Sequence, residues 1–144
     1  FIYQLIYMDN FHKFLMILIT IIIDAVFLYI LRNEEVNQAE KCYIYGILLI
    51  HIIFTFALLT DNNMIIDLSH IFLFISIYLG VFIQNRSILI LLTTLSLTQI
   101  IFKTLFGGCI MCTKEEQSFG ELIDKYNQNF VYITVVIMLY RLFL

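Results

Sequence analysis

Long apolar segments separated by short polar ones make up most of this sequence, and they constrain its fold more than any other feature. The apolar segments cover residues 11–31, 43–59, 64–84, 87–106 and 129–144. A helix needs about 20 apolar residues, with a range of about 17–25, to cross the hydrocarbon core of a bilayer. The last segment is short for a span, so the pattern predicts an all-α, polytopic transmembrane bundle of four to five spans in a single domain.

The composition supports a lipid environment. The 144 residues are 62% hydrophobic and 13% charged, whereas soluble domains have about 45–50% apolar and about 25% charged residues. In water a chain of this length buries only about two-thirds of its surface, so large apolar patches would be exposed. The net charge of -3 provides no basic surface for nucleic acid. We therefore expect an integral membrane protein whose partners are the lipid bilayer and other protein subunits, not nucleic acid.

Two loops carry many of the charged residues. We expect the loop 32–42 to lie in water, and the loop 113–128 to lie at the membrane surface, with a short amphipathic helix in its middle. The connection at 84–86 is very short, which predicts that the segments on either side form a helical hairpin. Basic residues fall equally on both predicted sides of the membrane, so they do not orient the chain.

A few polar side chains interrupt the apolar segments. Those at bilayer depth are Asp24, His51, Gln99 and Lys103, and the pair Asp67 and His70 lies near a membrane boundary. An ionisable group inside a bilayer is costly unless it is paired or faces a cavity. We interpret these residues as adhesion between helices, with Asp24 paired to Lys103 or His51. Of these, we expect the face that carries Gln99 and Lys103 to be the contact for Asp24. The alternative is a proton or ion path in which Asp24 and Lys103 act as relays.

Gln99 and Lys103 lie four residues apart and therefore share a helical face, as Asp67 and His70 do at a spacing of three. His51 and His70 could join Cys109 and Cys112 in a tetrahedral metal site. The histidines lie in different segments with no short ligand spacing, so we predict no metal site and no cofactor.

Cys109 and Cys112 form a Cys-x-x-Cys motif at the end of the fourth segment, a spacing that allows thiol–disulfide exchange. The run from Phe106 to Cys112 resembles the corresponding motif of the vitamin K epoxide reductase family, small helical bundles of four or five spans. That resemblance implies a membrane thiol oxidoreductase that uses this cysteine pair. The chain differs from the family in having only Cys42 outside the motif and a charged loop directly after it.

A second resemblance covers residues 67–120. His70, the tight connection at 84–86 and Gly-Gly-Cys-x-x-x-Thr at 107–113 are followed by an acidic residue. This arrangement resembles small multi-pass proteins of large DNA viruses, and implies a non-enzymatic component of a virion inner membrane that anchors capsid proteins. The leading hypothesis is therefore a structural subunit of a viral inner membrane or an organelle membrane complex. The alternatives are the thiol oxidoreductase, and a small transporter or ion-conducting protein that uses Asp24, Gln99 and Lys103.

Overall fold

The computed structural model describes residues 10–106 and 119–144, and this part of the chain is helical with no strand. The α-helices are α1 (Asn10–Asn33), α2 (Gln38–Leu59), α3 (Asn63–Leu79), α4 (Arg86–Phe106) and α5 (Phe119–Phe143). A 3₁₀ turn, Gly80–Phe82, follows α3 directly. The predicted all-helical class is confirmed. Helices α1, α2 and α3 (with its 3₁₀ turn) are long and apolar enough to cross a membrane, and α4 and α5 contain shorter apolar segments.

The helices pack in an order that differs from their order in the chain. Helix α2 lies between α1 and α3, and α5 packs against both α3 and α4. Helix α4 also contacts the 3₁₀ turn and α1, and both contacts are smaller than its contact with α5. The simple hairpin predicted for the segments around 84–86 is therefore wrong in its packing. The 3₁₀ turn and the extended backbone of Ile83 (φ −67°, ψ 133°) separate the two arms, and α5 packs against both.

The buried apolar side chains form three clusters along the bundle. The largest joins α1, α2, α4 and α5 near the loop between α1 and α2: Phe27, Ile30, Val36, Ile44, Ile47, Ile83, Ile88, Leu89, Leu92 and Met138. A second cluster lies near the turn between α2 and α3: Phe54, Ala57, Leu58 and Ile66. The third joins α3 to α5: Phe74, Val131 and Val135. Each cluster contains residues from more than one helix, and together the three clusters connect α1 to α5 in one bundle.

The turn between α2 and α3 is set by its polar residues. The N–H of Asn62 donates to the carbonyl of Ala57 at 3.0 Å, and Asp61 between them has a positive φ of 52°. This is a Schellman-type helix end, and aspartate tolerates the left-handed backbone that such an end requires. The Asn62 side chain then accepts from the N–H of Ile65 and caps α3. One short segment thus ends one helix and begins the next.

Candidate polar site in the helix bundle

Asp24 and His51 contact one another between α1 and α2. The Asp24 Oδ1 atom lies 2.5 Å from the His51 Nδ1 atom, and the side chains are 24% and 8% exposed. Both residues lie well inside helices that are long and apolar enough to span a membrane. Of the two partners that the sequence offered for Asp24, His51 is the one that the structure places against it.

The flanking residues explain why the pair lies at this interface. Thr20 and Phe27, one helical turn on either side of Asp24, are buried in the bundle. Ile47 and Phe54 occupy the corresponding positions around His51 and are also buried. The Thr20 hydroxyl donates to the carbonyl of Met16 at 2.9 Å and so needs no partner across the interface. The Asp24–His51 pair therefore joins two apolar surfaces that already face each other.

Lys103 belongs to a different level of the bundle. Its side chain lies outside the part of the chain that the structure describes, but its backbone lies near the end of α4 at Phe106. With a rise of about 1.5 Å per residue, Lys103 lies about 26 Å along α4 from Arg86, whereas Asp24 lies about 14 Å from Asn33. The Asn85–Glu34 bond brings these two helix ends together. The backbone register thus favours His51 over Lys103 as the partner of Asp24.

Two further polar positions of α4, Ser96 and Gln99, lie at least partly inside the bundle. Gln99 is half-buried, and Ser96, one turn earlier, is fully buried. The Ser96 hydroxyl donates to the carbonyl of Leu92 at 2.8 Å. A small side chain that bonds its own helix allows close packing of the helix surface.

At the predicted membrane boundary, His70 is buried and Asp67 is half-buried on the same side of α3. The His70 ring stacks on Phe74, with centroids 4.7 Å apart and an interplanar angle of 25°. The structure thus places this histidine inside the packing of α3 rather than on its exposed side. In the described residues no group of three or more His, Cys, Asp or Glu side chains is arranged to hold a metal ion.

Sequence reasoning missed a buried carboxylate at the opposite end of the bundle. Glu40, in the loop that was predicted to lie in water, is 4% exposed. Its Oε1 atom accepts hydrogen bonds from the backbone N–H groups of Gln84 and Asn85, each at 2.7 Å. Its Oε2 atom accepts from the N–H of Asn37 at 3.2 Å, which completes a capping box at the start of α2. Glu40 therefore joins the start of α2 to the connection between α3 and α4.

Asn85 extends this arrangement to α1 and α4. Its side-chain Nδ2 donates to Glu34 Oε2 at 3.0 Å, and its Oδ1 accepts from the N–H of Ile88 at 3.0 Å, which caps α4. Hydrogen bonds from Ser87 and then from Asn85 lower the pKa of the Glu34 carboxyl, and partial burial opposes them. We refer to Glu34, Glu40 and Asn85 as the loop cluster. The sequence signal for it was Asn37-x-x-Glu40, a capping-box pattern.

Arginine side chains cross-link the helix ends beside the loop cluster. Arg141, near the end of α5, is half-buried and donates to the carbonyl of Val81. Arg86 donates to the carbonyl of Leu142 at 3.5 Å from the neighbouring helix start. At the other end of the bundle, Lys13 forms an ion pair with Asp61. Both ends of the bundle thus have cross-links between elements distant in sequence.

The Cys-x-x-Cys motif, formed by Cys109 and Cys112, lies outside the residues that the structure describes. The third cysteine, Cys42, is exposed at the start of α2. Comparison with protein-family models, with curated proteins and with solved structures finds no match for this chain.

Proposed function

We propose that the protein is a non-enzymatic, multi-pass membrane protein that serves as a structural or anchoring subunit of a larger membrane assembly. Three helices of spanning length support the membrane setting. The shorter apolar helices Arg86–Ile101 and Phe130–Phe143 bring the proposed number of spans to five. They pack in the same bundle, and their ends lie beside the ends of the longer helices.

The way the helices use their polar groups carries this proposal. Asp24 binds His51 across the α1–α2 interface, and the Tyr43 hydroxyl donates to the carbonyl of Ser76 at 2.8 Å across the α2–α3 interface. Other buried hydroxyls donate to a carbonyl one turn earlier in their own helix: Thr93, Ser96 and Thr134. Side chains engaged in this way hold a bundle together. An ion path would instead require polar groups that face a common cavity.

For the assembly itself, we propose the inner membrane of a large DNA virus, with capsid proteins as the neighbouring layer. The support is the resemblance carried by residues 67–120. A complex in an organelle membrane is the alternative setting. In either case the partners are the bilayer and other protein subunits.

The test is isolation of the full-length chain from its own membrane in polymer-bounded nanodiscs, followed by native mass measurement. We expect particles heavier than the 17.0 kDa chain, with the same partners at fixed stoichiometry in independent preparations. A chain that is always isolated alone would contradict the proposal.

The same preparations, reconstituted in vesicles, separate the two alternative functions. Thiol exchange lost in Cys109→Ser would favour the oxidoreductase, and ion flux lost in Asp24→Asn would favour the conducting protein.

A further inference from the structure

The Asp24 carboxylate lies at the surface of the bundle as well as against His51. Within the part of the chain that the structure describes, His51 is its bonded partner, and this contact uses one of its two oxygens. The side chain remains 24% exposed in the middle of α1. Carboxylates are strong hydrogen-bond acceptors, and hydrocarbon offers no donors. The exposed part of Asp24 is therefore open to a polar group from a neighbouring helix.

Of the three helices of membrane-spanning length, α1 has the least cover. Only 17% of the residues in its most apolar part are buried, compared with 33% for α2 and for α3. It packs mainly on α2 and lightly on α4, at the edge of the bundle. Most of its surface is therefore open to another helix or to lipid.

A regular stripe of side chains runs along α1 beside Asp24. We call it the α1 seam, and it consists of Phe14, Ile17, Ile21, Asp24, Leu28 and Leu31. Its members alternate at spacings of four and three residues, the heptad pattern along which two helices pack side by side. Phe14, Ile21 and Leu28 are exposed, and the others are half-buried at the edge of the bundle. Asp24 thus lies within an apolar stripe already suited to a second helix.

Charge complementarity identifies the chemistry of that helix. A second copy related by a two-fold axis would bring Asp24 against Asp24, and like charges in a low-dielectric seam repel. The lysine and arginine of α1, Lys13 and Arg32, lie at its two ends and not beside Asp24. A lysine or arginine at mid-span in another protein would supply both the donor and the opposite charge.

We propose that the α1 seam is the docking surface for a transmembrane helix of a different protein, which carries a lysine or arginine at mid-span that binds Asp24. The proposal rests on the proposed function, since it names the surface by which the chain joins its assembly. A single polar residue in an apolar seam fixes the register of two helices. Asp24 would accordingly select both the partner and its depth.

Site-specific photocrosslinking in the native membrane tests the seam. A benzophenone amino acid replaces Ile21 or Leu28 in the full-length chain, and the matched controls are Ile22 and Tyr29, which are exposed on another side of α1. We expect one protein, different from this chain, to be crosslinked at the seam positions at least fivefold more than at the controls. The crosslinked peptide should be an apolar segment with a lysine or arginine near its middle.

Two further variants test the role of charge. Asp24→Leu combined with His51→Leu replaces the polar pair by apolar side chains, so the bundle is expected to keep its helix content by circular dichroism. Crosslinking at Ile21 should fall at least fivefold in this double variant, and equally when the partner's basic residue is changed to leucine. Unchanged crosslinking in either case would overturn the proposal.

The remaining outcomes are also decisive. Crosslinks from the seam to lipid alone, to a second copy, or to a helix without a basic residue would overturn the docking proposal. If the complex is isolated at fixed stoichiometry but the α1 seam gives only crosslinks of these three kinds, the proposed structural function stands. The proposal that the α1 seam is the docking surface is then wrong. If no complex is isolated, both proposals fail.

Discussion

Glu40 accepts a hydrogen bond from the backbone N–H of Asn85, 45 residues later in the chain, at 2.7 Å. The same oxygen accepts from Gln84 at 2.7 Å, so one buried carboxylate fixes two successive N–H groups of the α3–α4 connection. Because Glu40 also completes the capping box of α2, local helix formation and the long-range contact depend on one side chain. The loop cluster is therefore a polar cross-link between elements distant in sequence at this end of the bundle.

Removing the Glu40 carboxylate should destabilise the bundle. Hydrogen bonds to a charged group contribute about 1.5–3 kcal/mol each, and water reaching the loop would recover part of that. We expect Glu40→Leu to lower the free energy of unfolding by about 2–4 kcal/mol and Glu40→Gln by about 1–2 kcal/mol. Denaturant titration in mixed micelles, followed by circular dichroism, measures both.

Glu35→Gln is the matched control for Glu40, because Glu35 lies in the same loop and is exposed. Its effect should stay within about 0.5 kcal/mol. Equal losses at the two positions would mean that the loop responds to charge in general and not to the bonds from Gln84 and Asn85.

The second prediction concerns acid. Hydrogen bonds from Ser87 and Asn85 lower the pKa of Glu34 in the folded protein, so folding favours its ionised form. That stabilisation is fully present above the ordinary pKa of about 4.5 and is lost as the pH falls through the lowered folded value. Unfolding titrations from pH 6 downward should show the loss in the wild type, and the difference between wild type and Glu34→Gln should shrink toward acid pH. A pH-independent difference would contradict this linkage.

The sequence was sufficient for the features that depend on periodicity. Runs of apolar residues predicted the all-helical class, which is confirmed. They also predicted four to five spans, and the structure has three helices long and apolar enough to cross a membrane and two shorter apolar helices. The cost of an isolated charge in an apolar helix was also enough to single out Asp24 as a residue that needs a polar partner. Its contact was expected on the Gln99–Lys103 face, whereas the structure places His51 against it. The helical class depends on local composition, but the choice between the two partners depends on how the helices pack.

Contacts that depend on tertiary packing were not predictable in the same way. The Asn37-x-x-Glu40 pattern is local, but the partners of Glu40 at Gln84 and Asn85 are supplied by a distant turn. The short connection at 84–86 predicted a closed hairpin, whereas α5 packs against both arms. A helix more than 30 residues further along the chain decides that packing, and no local pattern around the connection contains that information.

The third prediction tests the Asp24–His51 pair within the bundle. His51→Leu removes the bonded partner of the Asp24 carboxyl and should lower the free energy of unfolding by about 1.5–3 kcal/mol. Asp24→Leu should act similarly. The double variant should cost about 1–2 kcal/mol less than the sum of the two singles, because the second change removes a group that the first has left unpaired. Strict additivity of the three unfolding energies would show that the two side chains are not coupled.

The last prediction concerns two glycines with opposite surroundings. A Cβ on Gly80, at the start of the 3₁₀ turn, would lie 2.6 Å from Leu92 Cδ1 and 2.9 Å from Met138 Cε, whereas one on Gly46 in α2 meets no atom within 4 Å. Leu92 and Met138 are buried, so their movement disturbs the largest apolar cluster. Gly80→Ala should therefore lower the free energy of unfolding by about 1–3 kcal/mol. Gly46→Ala should raise it by up to about 1 kcal/mol through helix propensity. Thermal unfolding of both variants in the same micelles gives the comparison. Equal stability of the two would mean that the ends of Leu92 and Met138 move aside at no cost, and that Gly80 is not needed for the close approach of α4 and α5 to the 3₁₀ turn.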